Sequence, residues 1–379
     1  MLKLRLKRLL IYKISIIFLI LFFSCDKKKD INDYISKKEI DNDLFVKNIS
    51  VINRSEVTSG IYSDYKTASL KSFTIKDDIF TTAFVDKIYS ASKISYDMER
   101  EFQYFYKNDT EYLFYIDYEK NNKQIFKSLS KKSTENSWIV HPQKIKPKDY
   151  AMFENYDKIS ALYYDDDLKF GILNDSEIEF ISNIKIEIKN IKNINLLFNT
   201  SDNILNLFYI NNDEELIMQK IKVTNIENTI VFDDIGKIKI NDKIKLYDIK
   251  LYNNKVYCVY YKTKDYSLNI YSEKNSKSEK IGYFTDINSL NLFFNDNLSI
   301  IFYSCVNLNK SKKDEEKFYI SMIFNKESFS SKKWSEDILM YSENPILSIF
   351  SFIDDEGLSI YTGGSFLNQI KIKKDFFTK

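Results

Sequence analysis

Short strands recur along this chain at a nearly fixed spacing, and nothing constrains its fold more. From about residue 70 to the C-terminus, alternating runs rich in Ile, Leu, Tyr and Phe are separated by Asn/Asp/Lys turns, the pattern of half-buried strands joined by tight connections. They group into units: an alternating strand, an Asn/Asp turn, a strand ending in an aromatic, a polar turn, then a third alternating strand. Seven units begin at Phe73, Phe102, Asp149, Ile194, Asp248, Leu290 and Ile346. The aromatic near the end of each second strand serves as a ruler: Phe84, Tyr115, Tyr164, Tyr209, Tyr261, Tyr303 and Tyr361. The later intervals are 49, 45, 52, 42 and 58 residues, and the first is a short 31.

A strand-only period of roughly 40–50 residues is that of β-propeller blades; leucine-rich repeats are half as long and helical repeats carry a 3.6-residue period. Each unit is a small twisted sheet that cannot bury both faces alone, and radial stacking buries both while leaving short edges. Runs such as LFYI, CVYY and IIFY are nearly continuous in apolar residues, as a sheet covered on both sides permits. The expected fold is therefore all-β, a seven-bladed propeller over residues 45–379. Six or eight blades, or a two-sheet sandwich, are the alternatives. The segment Phe45 to Tyr65 is the candidate for the strand that closes the ring.

The N-terminus has a different grammar. Lys3, Arg5, Lys7, Arg8 and Lys13 precede the uncharged run ISIIFLILFF, then Ser24 and Cys25. A basic n-region, a short apolar h-region and a small residue at the junction make a secretory signal. The run falls short of the roughly 20 apolar residues a spanning helix needs. With Cys25 at the junction the segment resembles a bacterial lipoprotein signal. Ser24 fits that pattern, whereas Phe22 stands where it prefers Leu. The resemblance implies that residues 1–24 are removed and that Cys25 becomes the lipidated (palmitate-type) mature N-terminus. Residues 25–44, highly charged from Asp26 to Asp43, read as a solvated tether.

Charge and composition exclude several functions. The net charge of +2 becomes −3 without residues 1–24, and Lys and Asp/Glu are intermixed. No clustered basic face of the kind nucleic acid requires is present. His141 is the only histidine, which argues against histidine metal sites and Ser–His relays. It reads as a loop or blade-edge residue. No cofactor or metal is expected. Four acidic clusters remain: Asp165-Asp166-Asp167, Asp213-Glu214-Glu215, Asp233-Asp234 and Asp354-Asp355-Glu356. Carboxylates ligate calcium and serve as glycosidase pairs, but three of the four fall at turns, where Asp and Asn are favoured for local hydrogen bonds. The aromatic load of 16% sits mostly in strands at core spacing and is assigned to packing.

Two segments ending near Trp138 and Trp334 resemble the strand–turn–Trp of sialidase-type propeller repeats. That family's Ser-x-Asp-x-Gly-x-x-Trp turn is absent: Lys131, Ser133 and Glu135 precede Trp138, and Glu327, Phe329 and Ser331 precede Trp334. Sialidases also grip substrate with three arginines, whereas only Arg54 and Arg100 follow Cys25. The resemblance is thus to the scaffold.

These readings converge on a membrane-tethered extracytoplasmic binding or scaffold lipoprotein. It is anchored to a bacterial membrane through lipid on Cys25, at the outer membrane or surface, or on the periplasmic side of the inner membrane. Its partner is a protein or glycan ligand, with the loop Val306 to Lys317 the longest candidate for binding. One version resembles the propeller lipoproteins of envelope assembly. The alternative is a carboxylate-dependent glycoside-active enzyme on the same scaffold. Cys258 and Cys305 are expected to be free thiols, offset by five positions on opposite sheet faces, with Cys258 buried and Cys305 nearer a loop.

Overall fold

A computed structural model describes residues 31–376, apart from 43–44, 55–56, 78, 88–101, 119–122, 156–157, 187, 189–190, 227–228, 296–297, 308–316, 326–333 and 355. These residues form seven four-stranded antiparallel sheets, arranged as the blades of a propeller. Blades 1 to 6 are consecutive meanders spanning 46–87, 102–142, 149–183, 192–242, 244–283 and 289–342. Blade 7 takes three strands from 348–373 and its outermost from the N-terminus, Ile35–Asn42.

Burial explains the arrangement. Seven hydrophobic clusters lie one in each seam between neighbouring blades. The seam that closes the ring joins Val46, Tyr62 and Phe73 of blade 1 to Tyr361 and Leu367 of blade 7. Each fully buried side chain of this size contributes about 1.5–3 kcal/mol, so no blade is stable without its neighbours.

First strands of neighbouring blades lie side by side around the centre. Each is an edge of its own sheet and presents unpaired backbone N–H groups. Acceptor side chains from the preceding blade satisfy some of them. Gln103 accepts from Met152 N at 2.7 Å, Asp149 from Ile194 N at 2.9 Å and Asp248 from Leu292 N at 2.7 Å. At the periphery, the ladder between third and fourth strands carries an irregularity in blade 1 and in blades 3 to 7, a device that blunts sheet edges.

The meander gives the ring two distinct faces. One, here the hairpin face, carries the turns between first and second and between third and fourth strands. The other, the crossover face, carries the second-to-third turns and the blade-to-blade connections. Hairpin-face turns follow the Asn/Asp signals closely. Asn108-Asp109, Asp175-Ser176 and Asn253-Asn254 are two-residue loops with positive φ at both positions, the geometry that matches strand twist.

Three expectations need correction. Residues 35–42, assigned to the tether, pair with the last strand, Phe366–Lys373, except for a bulge at Ile40. The charges of Lys37, Lys38 and Glu39 suit an outermost strand that faces water. The closing strand is therefore not drawn from 45–65, which instead supplies the two inner strands of blade 1, Val46–Arg54 and Val57–Asp64. Finally, Phe84 is on the outermost strand of blade 1, 66% exposed. Tyr62, on its second strand and fully buried, is the true counterpart, and the first interval becomes 53 residues.

Candidate functional site

The seam between blades 1 and 2 holds two buried charge networks, one toward each face. Toward the hairpin face, Arg54 ends the first strand of blade 1 and Glu111 is the second residue of the second strand of blade 2, Thr110–Tyr118. The Arg54 guanidinium donates to Glu111 at 2.7 Å and to Ser59 at 2.5 Å. Glu111 also accepts from the Tyr104 hydroxyl at 2.9 Å and pairs with Lys131 at 3.3 Å. Arg54 lies over the Tyr106 ring and Lys131 over the Trp138 ring, as cation–π pairs do. Burial, then Glu111, pushes the Tyr104 hydroxyl far up. Burial works against the charge of Arg54, but Glu111 outweighs it and holds the guanidinium above its ordinary value.

Toward the crossover face, Lys127 lies between Asp86 of blade 1 (3.0 Å) and Asp117 of blade 2 (3.1 Å). Tyr115 donates to Asp86, and burial followed by Asp86 raises its hydroxyl strongly. The Asp117 side chain has no exposed surface. Both networks join neighbouring blades across the seam; each carboxylate is matched by a cation, and Glu111 and Asp86 also by a tyrosine hydroxyl. A buried pair of this kind adds little net stability but is costly to break. Its chemistry is that of a clasp, with Glu111 and Asp117 enclosed at its centre.

The acidic clusters spread over blades 3, 4 and 7. Asp165 pairs with Lys169 at 2.7 Å and Asp166 with Lys148. Glu214 pairs with Lys243 at 2.9 Å, and Glu215 with Lys239. Those lysines hold both glutamates below the usual carboxylate range. Asp234 accepts from Gln219 and from Gly236 N. Asp354 accepts from the backbone of Glu356 and Gly357 and from Ser359, while Glu356 pairs with Lys371 at 2.7 Å. The first two clusters lie on the crossover face and the last on the hairpin face, so they do not converge. Asp355 lies outside the described residues. Among the described residues no group of three or more His, Cys, Asp or Glu side chains could hold a metal ion.

His141 sits on the outermost strand of blade 2, Ile139–Pro142, within 2.9 Å of the Ser130 hydroxyl. Trp138 and Trp334 each stand immediately before a fourth strand, in blades 2 and 6, and each packs into the seam with the preceding blade. Cys25 lies outside the described residues, as does most of the loop Val306 to Lys317. Cys258 and Cys305 are free and both buried; Cys258 lies inside its strand, Lys255–Lys262, while Cys305 is one residue from the end of Leu298–Val306, nearer a loop as expected.

Two clefts open among the described residues. One of about 460 Å³ lies on the crossover face of blade 4, lined by Ile188, Tyr209, Asn211, Ile217, Lys237 and the Glu215–Lys239 ion pair, so one of the acidic clusters borders it. Burial, then Asp234, raises the Tyr209 hydroxyl. The other, about 260 Å³, lies on the hairpin face between blades 2 and 3, beside Lys107, Tyr112, Lys158 and Asn174. Sequence reasoning missed both clefts and the two clasps. For the clasps a signal existed: Glu111 and Asp117 interrupt an otherwise apolar second strand at its two ends.

Fold and site together define a seven-bladed β-propeller with one doubly clasped seam and small open clefts. Scanned against protein-family models the sequence matches none, and no curated protein matches it. Solved structures give distant likenesses. A Trypanosoma rangeli sialidase, in complex with 2,3-difluorosialic acid, aligns over 89% of this chain at 8% identity with a TM-score of 0.48. The chain spans about three-fifths (59%) of that sialidase. BBS1N, in complex with ARL6DN, aligns over 89% of this chain and 97% of its own at 10% identity, TM-score 0.47. A GH43_1 enzyme from Xanthomonas citri aligns over 62% and 86% at 9% identity, TM-score 0.36. Likenesses this distant attach no activity to this chain.

Proposed function

We propose that this chain is a membrane-tethered extracytoplasmic binding or scaffold lipoprotein, anchored in a bacterial envelope through lipid on Cys25. The observation that carries the reading is the signal-like run ending in Ser24-Cys25, only ten residues before the strand that completes the ring. Its ligand is a protein or a glycan. A rigid ring bearing loops of varied length suits that task, since binding residues concentrate on loops held by a rigid scaffold. The anchoring side is the outer membrane or surface, or the periplasmic side of the inner membrane.

A glycoside-active enzyme needs two acids open to substrate. Asp86 and Asp117, both about 3 Å from the same lysine, are bridged by that cation, and Asp117 is fully enclosed. The binding reading is therefore preferred.

Metabolic labelling with a clickable fatty acid tests the anchor. Wild-type protein should take up label and Cys25→Ala should take up none and leave the membrane fraction. Stable anchoring calls for at least two acyl chains, because one alone binds marginally. Unlabelled wild-type protein would refute the reading.

A further inference from the structure

We infer that the ring is held with its hairpin face toward the bilayer and its crossover face turned away, an inference that rests on acylation of Cys25. The point of attachment is fixed by burial. Ile31, 5% exposed, belongs to the cluster between blades 6 and 7, with Leu298, Phe324, Leu358 and Phe376. Leu298 begins the second strand of blade 6 and Phe324 lies near the end of its third. Leu358 lies near the start of the second strand of blade 7. All three positions are on the hairpin face, although the cluster runs the full seam to Ile320 and Ile346 near the other. What places Ile31–Asp33 at the hairpin face is that the strand they lead into starts there, with Ile35 opposite Ile372. Lys373 N donates to Tyr34 O at 3.1 Å, and the rings of Tyr34 and Phe376 meet at 5.7 Å. The first and last described residues, Ile31–Tyr34 and Lys373–Phe376, are thus secured to that face.

The leash is short. Six residues lead from Cys25 to Ile31, a reach of at most about 22 Å when fully extended. The second strands of blades 6 and 7, nine and seven residues long, rise roughly 23–30 Å from one face to the other. An acyl group on such a leash cannot pass around the ring and seat the crossover face on lipid. The headgroup layer is therefore the partner of the hairpin face, with its cleft beside Lys107 and Lys158. The larger cleft, beside Tyr209 and Lys237, opens away from the membrane, where a soluble ligand meets it.

Energy transfer in vesicles tests this. Lys264→Cys and Lys274→Cys place a donor dye in exposed turns at opposite ends of the third strand of blade 5, Ser267–Ser272; the native Cys258 and Cys305 are buried. Full-length acylated protein is reconstituted into phosphatidylcholine vesicles that carry an acceptor-labelled lipid. Transfer should be several-fold greater from position 274 than from position 264. A twenty-residue Gly/Ser insertion between Asp30 and Ile31 should erase the difference. Equal transfer, or more from 264, in acylated and vesicle-bound protein would overturn the orientation while leaving the lipoprotein reading intact. Protein shown by mass to lack an acyl group would overturn both.

Discussion

At the scale of single residues, the buried carboxylates act as fasteners. Asp64 ends the second strand of blade 1 with no exposed side-chain surface and pairs with Lys71 at 2.8 Å. It also accepts from Thr67 Oγ1 at 2.6 Å and Lys66 N at 3.1 Å. Burial alone would raise its pKa, but Lys71 and Thr67 outweigh burial and hold it below the ordinary value. A depressed folded-state pKa gives stability that is present above the unfolded-state value, near 3.9, and lost as pH falls through the folded one. Asp64→Asn should therefore melt at a lower temperature than wild type at pH 7, with the gap narrowing below about pH 4. A gap independent of pH would remove the charge from the explanation. Asp64 stood in no acidic cluster and drew no attention in the sequence. What gives it its role is Lys71, seven residues on, brought alongside only when the second and third strands pair.

At the scale of strands, register was the hardest quantity to read. Tyr303 faces blade 5, the blade before its own, while Tyr261 faces blade 6, the blade after its own. The residue of blade 5 that faces backward is Tyr260. In blade 3 the same slip separates Tyr163, which faces blade 2, from Tyr164, which faces blade 4. A one-residue slip flips every side chain to the other face, and Tyr-Tyr doublets in strands buried on both sides leave no alternation to reveal it. Set against Tyr260 and Tyr303, the cysteines are offset by four positions and share a facing: Cys258 points toward blade 4 and Cys305 toward blade 5. They remain apart because the sheet of blade 5 stands between them, which is a different reason from opposite faces. Burial raises both thiols, and the thiolate is the reactive form. A non-reduced digest should yield no Cys258–Cys305 linked peptide, and both should alkylate only after unfolding. A linked peptide would contradict the seam assignments.

Blade 1 shows the other limit. Its second strand, VTSGIYSD, reads as weakly apolar, yet Ser59, Ile61, Tyr62, Ser63 and Asp64 are all buried. Gly60 leaves room for the Phe73 ring, whose edge lies 2.2 Å from where a Cβ would stand. The apolar mass of that strand is lent by its neighbour, so the unit was read one hairpin too late. The aromatic second strands of blades 2 to 7 carry their own mass and were legible.

At the scale of the whole molecule, closure was foreseen but its agent was not. The repeat period predicted the ring. The strand that completes it looked like a tether because Lys37, Lys38, Glu39 and Asp41 dominate the composition, while Ile35 and Ile40 are too few to mark a core strand. Its stability comes from pairing with Phe366–Lys373 and from the seam beside it. Deleting 346–379 removes the three remaining strands of blade 7 and opens two seams, so the truncated chain should lose its cooperative melt. A truncated chain that melts cooperatively near the wild-type temperature would mean that the ring is not a closed unit.

Hydrogen exchange across residues 35–42 tests that closure most directly. Backbone amides in this stretch that bond to the last strand should exchange slowly and lose protection together with those of 366–373, since the two strands open as one edge. Exchange at the rate of an unstructured chain in 35–42, with 366–373 still protected, would return the segment to a tether and leave the ring without its closing strand.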